Sequence, residues 1–414
     1  MKGLLCLVLG WIYLGGASFA EALSPSVLYL TWMHDPTTTM TVQWHTKEDA
    51  PASRVFYRKM GEESWQEQGG VYTKIHKTNL LVHTVELDEL DPDTKYQFEL
   101  GKREETYLFQ TLPKNLDRPM KFIIGGDAYF YLSKFKKMNQ EIARQDPAFV
   151  VVGGDIAYTN NSRALFRDQD WELKRWRRFF KEWKEQMVTS DGRMIPIVPV
   201  LGNHDIRQIS PAQKPRYFLF YELFALPNKG VSFRALDVGN YLTLLLLDTG
   251  HSYHIEGEQT KWLKRALSAR ENISYKLAVY HIGAYPSVYP YLGNAPQKIR
   301  SHWSPLFERY HLNAAFEHHN HAYKRSHPMK KELIDPDGVV YMGDGSWGVN
   351  PRKPKALWYL DKWAQVNAVC RVTLKSQSGL VQAVNNKGEI IDSWETSPTS
   401  RSTSCNESLF LLYE

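Results

Sequence analysis

The sequence predicts two units in one chain, an all-β antiparallel sandwich followed by a layered α/β domain. Its 414 residues exceed what a single hydrophobic core usually needs. Apolar residues alternate at every second position from about residue 24 to residue 113, which is the rhythm of half-buried strands. Beyond residue 113, apolar strand-like runs alternate with helical stretches, which is the rhythm of a layered α/β fold.

The first unit, residues 21–115, is assigned to the sandwich by its alternation and its turns. Met40, Val42 and Trp44 lie on one face of a strand, and Asp35-Pro36 marks a turn before it. Short alternating strands separated by such turns are typical of antiparallel sandwiches.

The second unit, residues 118–396, is assigned to the α/β domain, and residues 397–414 to a C-terminal tail. Its apolar runs are continuous rather than alternating, so we expect strands that are buried on both faces of a sheet. The predicted strands are Lys121–Ile124, Ala148–Val152, Ile195–Leu201, Tyr241–Leu247, Tyr275–Tyr280, Leu312–Phe316 and Val339–Met342.

Residues 1–20 have the pattern of a secretory signal peptide. Lys2 supplies the positive start, an apolar run extends from Leu4 to Leu14, and Ser18-Phe19-Ala20 provides a small-residue cleavage site. The alternative is a membrane anchor, but the run is shorter than the ~20 residues that a spanning helix needs. We therefore predict a secreted, periplasmic or extracellular protein without stable membrane insertion. Cleavage leaves Cys370 and Cys405, and a disulfide between them is left open.

The formal net charge of +6 is modest for this length and favours anionic substrates only slightly. No dense Lys/Arg block of the kind that binds nucleic acid is present outside residues 171–187, so no nucleic-acid partner is predicted. That segment places Trp176, Phe180 and Trp183 at helical spacing with basic residues between them. The pattern is more typical of a helix packed on a sheet than of a membrane-surface helix.

Distinctive polar residues follow most of the predicted α/β strands. Ligands of open α/β sheets bind beyond the carboxyl ends of the strands, so we expect these side chains to meet at one edge. They are Asp127, Asp155, Asn203 with His204 and Asp205, His281, and His318, His319 and His321.

Carboxylate, amide and imidazole groups together indicate a metal site. Each strand-end residue alone is more often a turn residue or a satisfied core histidine, and only their convergence favours a metal. No cysteine lies in these segments, so the ligand set suits Zn, Mn or Fe. More ligands are present than one tetrahedral site takes, which favours two metals that share a carboxylate.

Tyr158 lies three residues after Asp155 and is the most specific of these residues. A phenol has an ordinary pKa of about 10, so only a strongly polarising cation such as ferric iron binds it as phenolate. The alternative is a tyrosine that simply packs in a loop between a strand and a helix.

These residues resemble the five metal-binding blocks of the purple acid phosphatases, a family of the metallophosphoesterase (calcineurin-like) superfamily. The segment Leu90–Tyr96 also resembles the tyrosine corner of fibronectin type III domains, which precede the catalytic domain in longer members. The five blocks occur in order as Gly126-Asp127, Gly154-Asp155-Ile156-Ala157-Tyr158, Gly202-Asn203-His204-Asp205, Val279-Tyr280-His281 and His319-Asn320-His321.

The resemblance implies a phosphatase that hydrolyses phosphate monoesters by attack of a metal-bound hydroxide. It implies that Asp127, Tyr158 and His321 bind ferric iron and that Asp155 bridges to the second metal. His204 is implied to hold the phosphate or to protonate the leaving oxygen. The divalent Fe, Zn or Mn ion is implied to bind Asn203, His281 and His319.

The sequence departs from the family pattern around the ligands. Tyr129 stands where the family has Gly, and we expect it to narrow the entrance or to contact substrate. His318 replaces the Gly of the last block, and either tolerance or a contact with His319 is expected. Lys324 and Arg325 are expected either near the phosphate or in a solvated turn. Where long-form plant members carry further histidines, this chain has Tyr285, Tyr289 and Tyr291.

Three other functions stay open at this point. The same metals would serve a phosphodiesterase or nucleotide pyrophosphatase. A non-catalytic, fibronectin-bearing surface protein would have a structural or degenerate site, although all seven ligands are present. A membrane-binding or adhesion module would depend on the helix at 171–187.

Overall fold

We describe a computed structural model of the chain. The predicted signal peptide, Cys405 and most of the predicted C-terminal tail lie outside the residues that it describes. The described residues are 25–47, 52–101, 105–160, 169–206, 218–343 and 345–399.

The N-terminal unit is a sandwich of two four-stranded antiparallel sheets, as the alternating pattern predicts. One sheet has the order β1-β2-β6-β5 and the other β4-β3-β7-β8. The Tyr96 hydroxyl accepts a hydrogen bond from the Asp91 backbone N–H at 2.9 Å, which is the contact of a tyrosine corner. The strands are β1 Leu28–Thr31, β2 Met40–Lys47, β3 Arg54–Lys59, β4 Gln66–Gly69, β5 Val71–Lys74, β6 Leu80–Leu87, β7 Lys95–Leu100 and β8 Tyr107–Gln110.

The second unit is a mixed α/β fold built on two larger sheets, which confirms the predicted fold class. One sheet has the order β11-β10-β9-β21-β22-β23, and the other β12-β13-β14-β15-β19-β16-β20. Its strands are β9 Met120–Gly125, β10 Val150–Gly153, β11 Ile197–Val200, β12 Arg234–Val238, β13 Leu242–Leu246, β14 Tyr275–Ile282, β15 Ala314–His318, β16 Tyr323–Ser326, β17 Met329–Lys330, β18 Leu333–Ile334, β19 Val340–Gly343, β20 Leu360–Ala364, β21 Ala368–Leu374, β22 Gly379–Asn385 and β23 Ile390–Thr396.

Each large sheet contains a run of neighbouring parallel strands, at one edge of the first sheet and in the middle of the second. The neighbours β9, β10 and β11 run parallel, as do β13, β14, β15 and β19. Each of the seven strands predicted from the sequence overlaps one of these. The antiparallel strands that complete the sheets were mostly not predicted, because their half-exposed patterns are weaker. The described helices are α1 Leu132–Arg144, α2 Gln169–Gln186, α3 Leu219–Leu223, α4 Glu258–Ser268, α5 Asn294–His302 and α6 Ser304–Arg309.

Helix α2 buries its aromatic stripe, so it is a packed helix and its aromatic face is not a membrane-surface face. Trp176, Phe180 and Trp183 are at most 1% exposed. The Phe180 ring stacks on Tyr29 of the sandwich, with centroids 4.0 Å apart, so this helix joins the two units. No helix within the described ranges is long and apolar enough to cross a membrane.

Cys370 lies buried in β21. Its pairing with Cys405 stays untested, because Cys405 is not among the described residues.

Candidate metal centre

All seven predicted ligands lie in one connected site where the strands of the two large sheets end. Asp127 and Asp155 follow β9 and β10, and Asn203 follows β11 in the same sheet. His281 is near the end of β14, and His319 follows β15 in the other sheet. The segments come together because neighbouring parallel strands deliver their carboxyl ends to the same edge.

Three other ligand atoms converge around the Nε2 atom of His281. This atom lies 3.0 Å from Asn203 Oδ1, 3.2 Å from His319 Nδ1 and 3.3 Å from Asp155 Oδ1. One ring nitrogen cannot form good hydrogen bonds with three such neighbours at once. Separations of about 3.0–3.4 Å are expected of atoms that each lie about 2.0–2.1 Å from one cation. These four residues therefore fit a shared metal ion.

A second group of ligand atoms surrounds Asp127. The Tyr158 hydroxyl donates to Asp127 Oδ1 at 2.6 Å and lies 3.0 Å from His321 Nε2. His321 Nε2 lies 2.8 Å from the same carboxylate oxygen. The other oxygen, Asp127 Oδ2, accepts the backbone N–H of His319 at 2.9 Å, which links the two groups. A phenol, an imidazole and a carboxylate thus meet at one point.

Asp155 carries a carboxylate oxygen that no group in the described part of the chain satisfies. Its Oδ1 accepts the backbone N–H of His204 at 2.7 Å, while its buried Oδ2 has no hydrogen-bond partner within the described ranges. A buried carboxylate oxygen without a partner is costly unless a cation completes it. The donor set as a whole therefore fits two cations with Asp155 contributing to both.

Burial and neighbouring charges act in opposite directions on the pKa values of Asp155 and His281. Burial raises the pKa of Asp155, but the His281 imidazole outweighs this and holds that pKa well below its usual range. Burial lowers the pKa of His281, yet Asp155 outweighs it and raises that pKa to about 9. Burial lowers the pKa of His319 to about 3, so this ring is neutral and ready to ligate. Without a cation, the proton on His281 neutralises Asp155, and a cation would displace that proton.

Five of the proposed ligands hold left-handed backbone conformations. Non-glycine residues rarely adopt positive φ, and each such residue costs roughly 1–3 kcal/mol, which is typical of functional sites. The φ values are +57° for Asp127, +53° for Asp155, +51° for Tyr158, +69° for His319 and +57° for His321.

The glycines before Asp155 make room for imidazole rings. A Cβ atom on Gly153 would lie 1.9 Å from Nε2 of His318, and one on Gly154 would lie 2.5 Å from Nδ1 of His281. The Gly-Gly pair is therefore required by the site as well as by the turn. His318 is accommodated in place of the family's glycine because its ring packs against Gly153 and Gly126.

His204 lies beside both groups of ligands with its ring held in place. Its Nδ1 donates to the Asn160 carbonyl, and its ring stacks on Tyr158 with centroids 4.8 Å apart. Its Nε2 lies 3.9 Å from Asp155 Oδ2, and its side chain is 28% exposed. This nitrogen is the part of the ring that can reach a substrate.

Arg352 and Tyr289 form the wall behind His319. The Tyr289 ring stacks on His319 with centroids 4.8 Å apart. Arg352 donates from Nη1 to the Tyr289 hydroxyl, and its backbone N–H donates to the His321 carbonyl at 2.7 Å. Of the three tyrosines noted after His281, Tyr289 is the one that contacts a proposed ligand. Arg352 was missed, because an arginine in a proline-rich loop carries no sequence signal for this position.

Tyr129 does not line the entrance, so that expectation is wrong. It is 7% exposed, its ring packs against Phe135 at 5.3 Å, and Arg175 lies over its face at 4.2 Å. The next residue, Phe130, instead approaches Tyr158, with ring centroids 5.2 Å apart. The backbone after Asp127 turns Tyr129 into the core and leaves Phe130 beside the site.

Lys324 and Arg325 are neither near a phosphate position nor in a solvated turn. Both lie in strand β16 and pair with carboxylates. Lys324 forms a buried ion pair with Glu317, and Arg325 contacts Asp392 at 2.7 Å. Strand β16 lies between β19 and β20, and all four of its residues are buried.

His251 is a further histidine near the site that sequence reasoning missed. Its ring centroid lies 5.7 Å from that of His281, and its Nε2 lies 3.0 Å from Thr249 Oγ1. Burial lowers its pKa to about 4. The position of polar residues after strands offered a signal, since Asp248, Thr249 and His251 all lie within five residues of the end of β13 at Leu246.

Comparison with known families finds two successive matches along the chain. The model described as purple acid phosphatase, N-terminal domain, matches residues 25–111. The model described as calcineurin-like phosphoesterase matches residues 120–323.

Known relatives and a solved structure agree with these matches. Purple acid phosphatase 23 of Arabidopsis thaliana is 26% identical over 360 residues, covering 74% of this chain and 76% of that protein. An uncharacterized protein of Mycobacterium tuberculosis is also 26% identical, over 74% of this chain but only 63% of its own length. Purple acid phosphatase PPD1 of yellow lupin (Lupinus luteus) superposes with a TM-score of 0.74 at 14% identity, covering 89% of this chain and 74% of that one. The lupin structure thus shares the fold.

Proposed function

Because the chain belongs to the purple acid phosphatase family, we propose that it hydrolyses phosphate monoesters at a two-metal centre. The observation that carries the proposal is the convergence of Asn203, His319 and Asp155 on His281 Nε2 at 3.0–3.3 Å. The adjoining phenol and carboxylate of Tyr158 and Asp127 supply the second half of the centre.

The two halves are proposed to hold different cations. Tyr158, Asp127 and His321 would hold ferric iron, because a phenolate needs the more strongly polarising ion. Asn203, His281 and His319 present neutral ligand atoms and would hold divalent Fe, Zn or Mn. Asp155, with one oxygen in the first group and one that has no hydrogen-bond partner among the described residues, would bridge them. When bound, such cations offset phosphoryl charge and lower the pKa of a water nucleophile.

The protein's own side chains orient the ester around those cations. His204 has one nitrogen fixed by the Asn160 carbonyl, so its Nε2 would hold a phosphoryl oxygen or deliver a proton to the leaving oxygen. Arg352 Nη1 lies 3.4 Å from the His319 carbonyl oxygen and adds positive charge there, which favours an anionic substrate. Tyr289 and Phe130 would exclude water from two sides of the ester.

The test is metal analysis of the purified protein followed by assays on matched phosphate mono- and diesters. We expect two metals per chain, iron among them, and turnover of monoesters above diesters with the same leaving group. Preference for diesters would favour the phosphodiesterase or nucleotide pyrophosphatase alternative on the same metals. Two bound metals without any hydrolysis would contradict the proposal.

Secretion is part of the proposal and rests on the N-terminal pattern of Lys2 and the run from Leu4 to Leu14. Expression of the full chain in a secreting eukaryotic host tests it. We expect the mature protein in the medium with its N-terminus just after Ala20, and retention of residues 1–20 on an intracellular product would contradict it.

A further inference from the structure

A groove between the sandwich and helix α2 is lined almost entirely by cations. Its volume is 740 Å³, within the range of about 300–1,000 Å³ that is usual for ligand clefts. Five basic side chains and one carboxylate line it, together with Thr78, Asn79, Leu80 and Leu173. The charged residues are Lys47, Lys74, Lys77, Lys174, Arg177 and Asp170.

Four of these cations have no counter-charge among the residues that the structure describes. No ion pair joins Lys47, Lys77, Lys174 or Arg177 to any residue in the described part of the chain. Three further cations of helix α2 differ, since they are paired with carboxylates: Arg178 with Glu182 at 2.7 Å, Lys181 with Glu185 at 3.6 Å and Lys184 with Glu105 at 3.4 Å. The unpaired half of the basic helix face is therefore the half that opens on the groove.

The two walls of the groove are fixed to each other. The turn after β5 donates the His76 backbone N–H to Glu222 at 3.3 Å, and Gln169 at the start of α2 donates to the His76 carbonyl. Within the turn, the Thr78 hydroxyl donates to the Ile75 carbonyl at 2.9 Å. The basic side chains thus project from a rigid frame, which lowers the entropy lost when a ligand binds.

The shape and lining of the groove select among polyanions. A single-stranded nucleic acid would be expected to stack its bases on aromatic side chains, and no aromatic residue among those described lines the groove. A membrane surface would need apolar side chains to insert, but Leu80 and Leu173 are each 6% exposed. A concave groove with cations on both walls instead fits a narrow chain that carries repeated charges.

We propose that this groove binds a linear sulfated polysaccharide. Lys47, Lys77, Lys174 and Arg177 would contact sulfate groups, and the amide of Asn79, which forms no hydrogen bond within the described ranges, would contact sugar hydroxyls. None of these residues belongs to the metal centre, so the groove would tether the enzyme without entering its chemistry.

The test measures binding of a fluorescent heparin oligosaccharide to the mature protein at about 0.15 M salt. A fourfold variant, Lys47→Ala with Lys77→Ala, Lys174→Ala and Arg177→Ala, should weaken binding roughly thirtyfold and flatten its salt dependence. A matched control removes three exposed lysines and one exposed arginine elsewhere: Lys264→Ala, Arg265→Ala, Lys375→Ala and Lys387→Ala.

The proposal predicts different heparin binding for the fourfold variant and for the control variant. The control variant should bind heparin nearly as tightly as the unchanged protein, and both variants should hydrolyse a small phosphate ester normally. Equal weakening in the control would show attraction by net charge alone and would overturn the proposal. So would absence of heparin binding, undiminished binding to desulfated heparin, or groove-dependent binding to phosphatidylserine vesicles in place of heparin.

Discussion

The Tyr158 hydroxyl donates a hydrogen bond to Asp127 Oδ1 at 2.6 Å inside a fully buried part of the site. Burial raises the pKa of Tyr158 well above its usual value, and the nearby Asp127 charge raises it further. The phenol is therefore neutral in the metal-free protein, and only a strongly polarising cation would bind it as phenolate. Tyr158 and Asp127 are therefore the pair of residues on which the proposed iron site depends.

Replacement Tyr158→Phe tests that dependence. The unchanged protein should show a visible absorption band from phenolate-to-iron charge transfer, and the variant should lose it. Tyr129→Phe is the matched control, because Tyr129 is a buried tyrosine two residues from Asp127 that packs away from the site. The control should keep the band. A colourless, zinc-only protein that is active would refute the iron assignment.

Replacement Asp155→Ala should remove both metals. Asp155 contacts His281 and offers a second oxygen that no described residue hydrogen-bonds, so its loss should open both halves of the centre. Metal content per chain after dialysis is the measurement, with Asp117→Ala, an exposed carboxylate, as the control. Two tightly held metals in the Asp155 variant would show that this residue does not bridge.

Replacement His204→Gln should slow hydrolysis most for esters with poor leaving groups. If His204 Nε2 delivers a proton to the leaving oxygen, we expect a loss of about 10²–10⁴-fold in kcat for an alkyl phosphate. The loss for an aryl phosphate with an acidic leaving group should be much smaller, and metal content should be unchanged. Equal losses for both esters would assign His204 to binding the phosphate instead of to proton delivery.

Replacement Arg352→Ala should weaken metal binding. Arg352 contacts the Tyr289 hydroxyl, and Tyr289 stacks on His319, so the wall behind that ligand would loosen. Loss of such supporting contacts typically costs about 10–100-fold in metal affinity, which competition with a chelator measures. Lys353→Ala changes an exposed neighbour and serves as the control. Unchanged affinity with a raised KM would place Arg352 on the substrate instead.

Replacement Lys324→Met should destabilise the fold. Lys324 and Glu317 form an ion pair whose side chains are 1% and 0% exposed, so removing one partner leaves a buried charge. The free energy of unfolding should fall by about 3–5 kcal/mol, measured by urea denaturation. Adding Glu317→Gln should restore much of it, because the amide oxygen can still accept the Tyr280 hydroxyl and the Ala284 N–H. Lys261→Met, at an exposed pair, should change stability by less than about 0.5 kcal/mol. No recovery in the double variant would show that the charge is not the cause.

The sequence by itself determined the two-unit architecture and its strands. The pattern of apolar residues indicates whether one face or both faces of a strand are buried. Strands β9, β10, β14 and β15 are buried on both faces, so they can be recognised in the sequence as continuous apolar runs. The polar residues that end these runs, such as Asp127 and Asp155, were readable for the same reason. Neighbouring parallel strands end at the same edge of a sheet, so residues at their carboxyl ends lie near one another however the side chains pack.

Only the tertiary structure decided what surrounds those residues. Tyr129 was expected at the entrance but packs beneath Arg175, because the backbone after a strand end can turn a side chain either way. Arg352 reaches Tyr289 across 63 residues of sequence, and Lys324 finds Glu317 within an enclosed sheet. Such contacts depend on which elements become neighbours and on where each side chain points, and local sequence patterns carry neither kind of information.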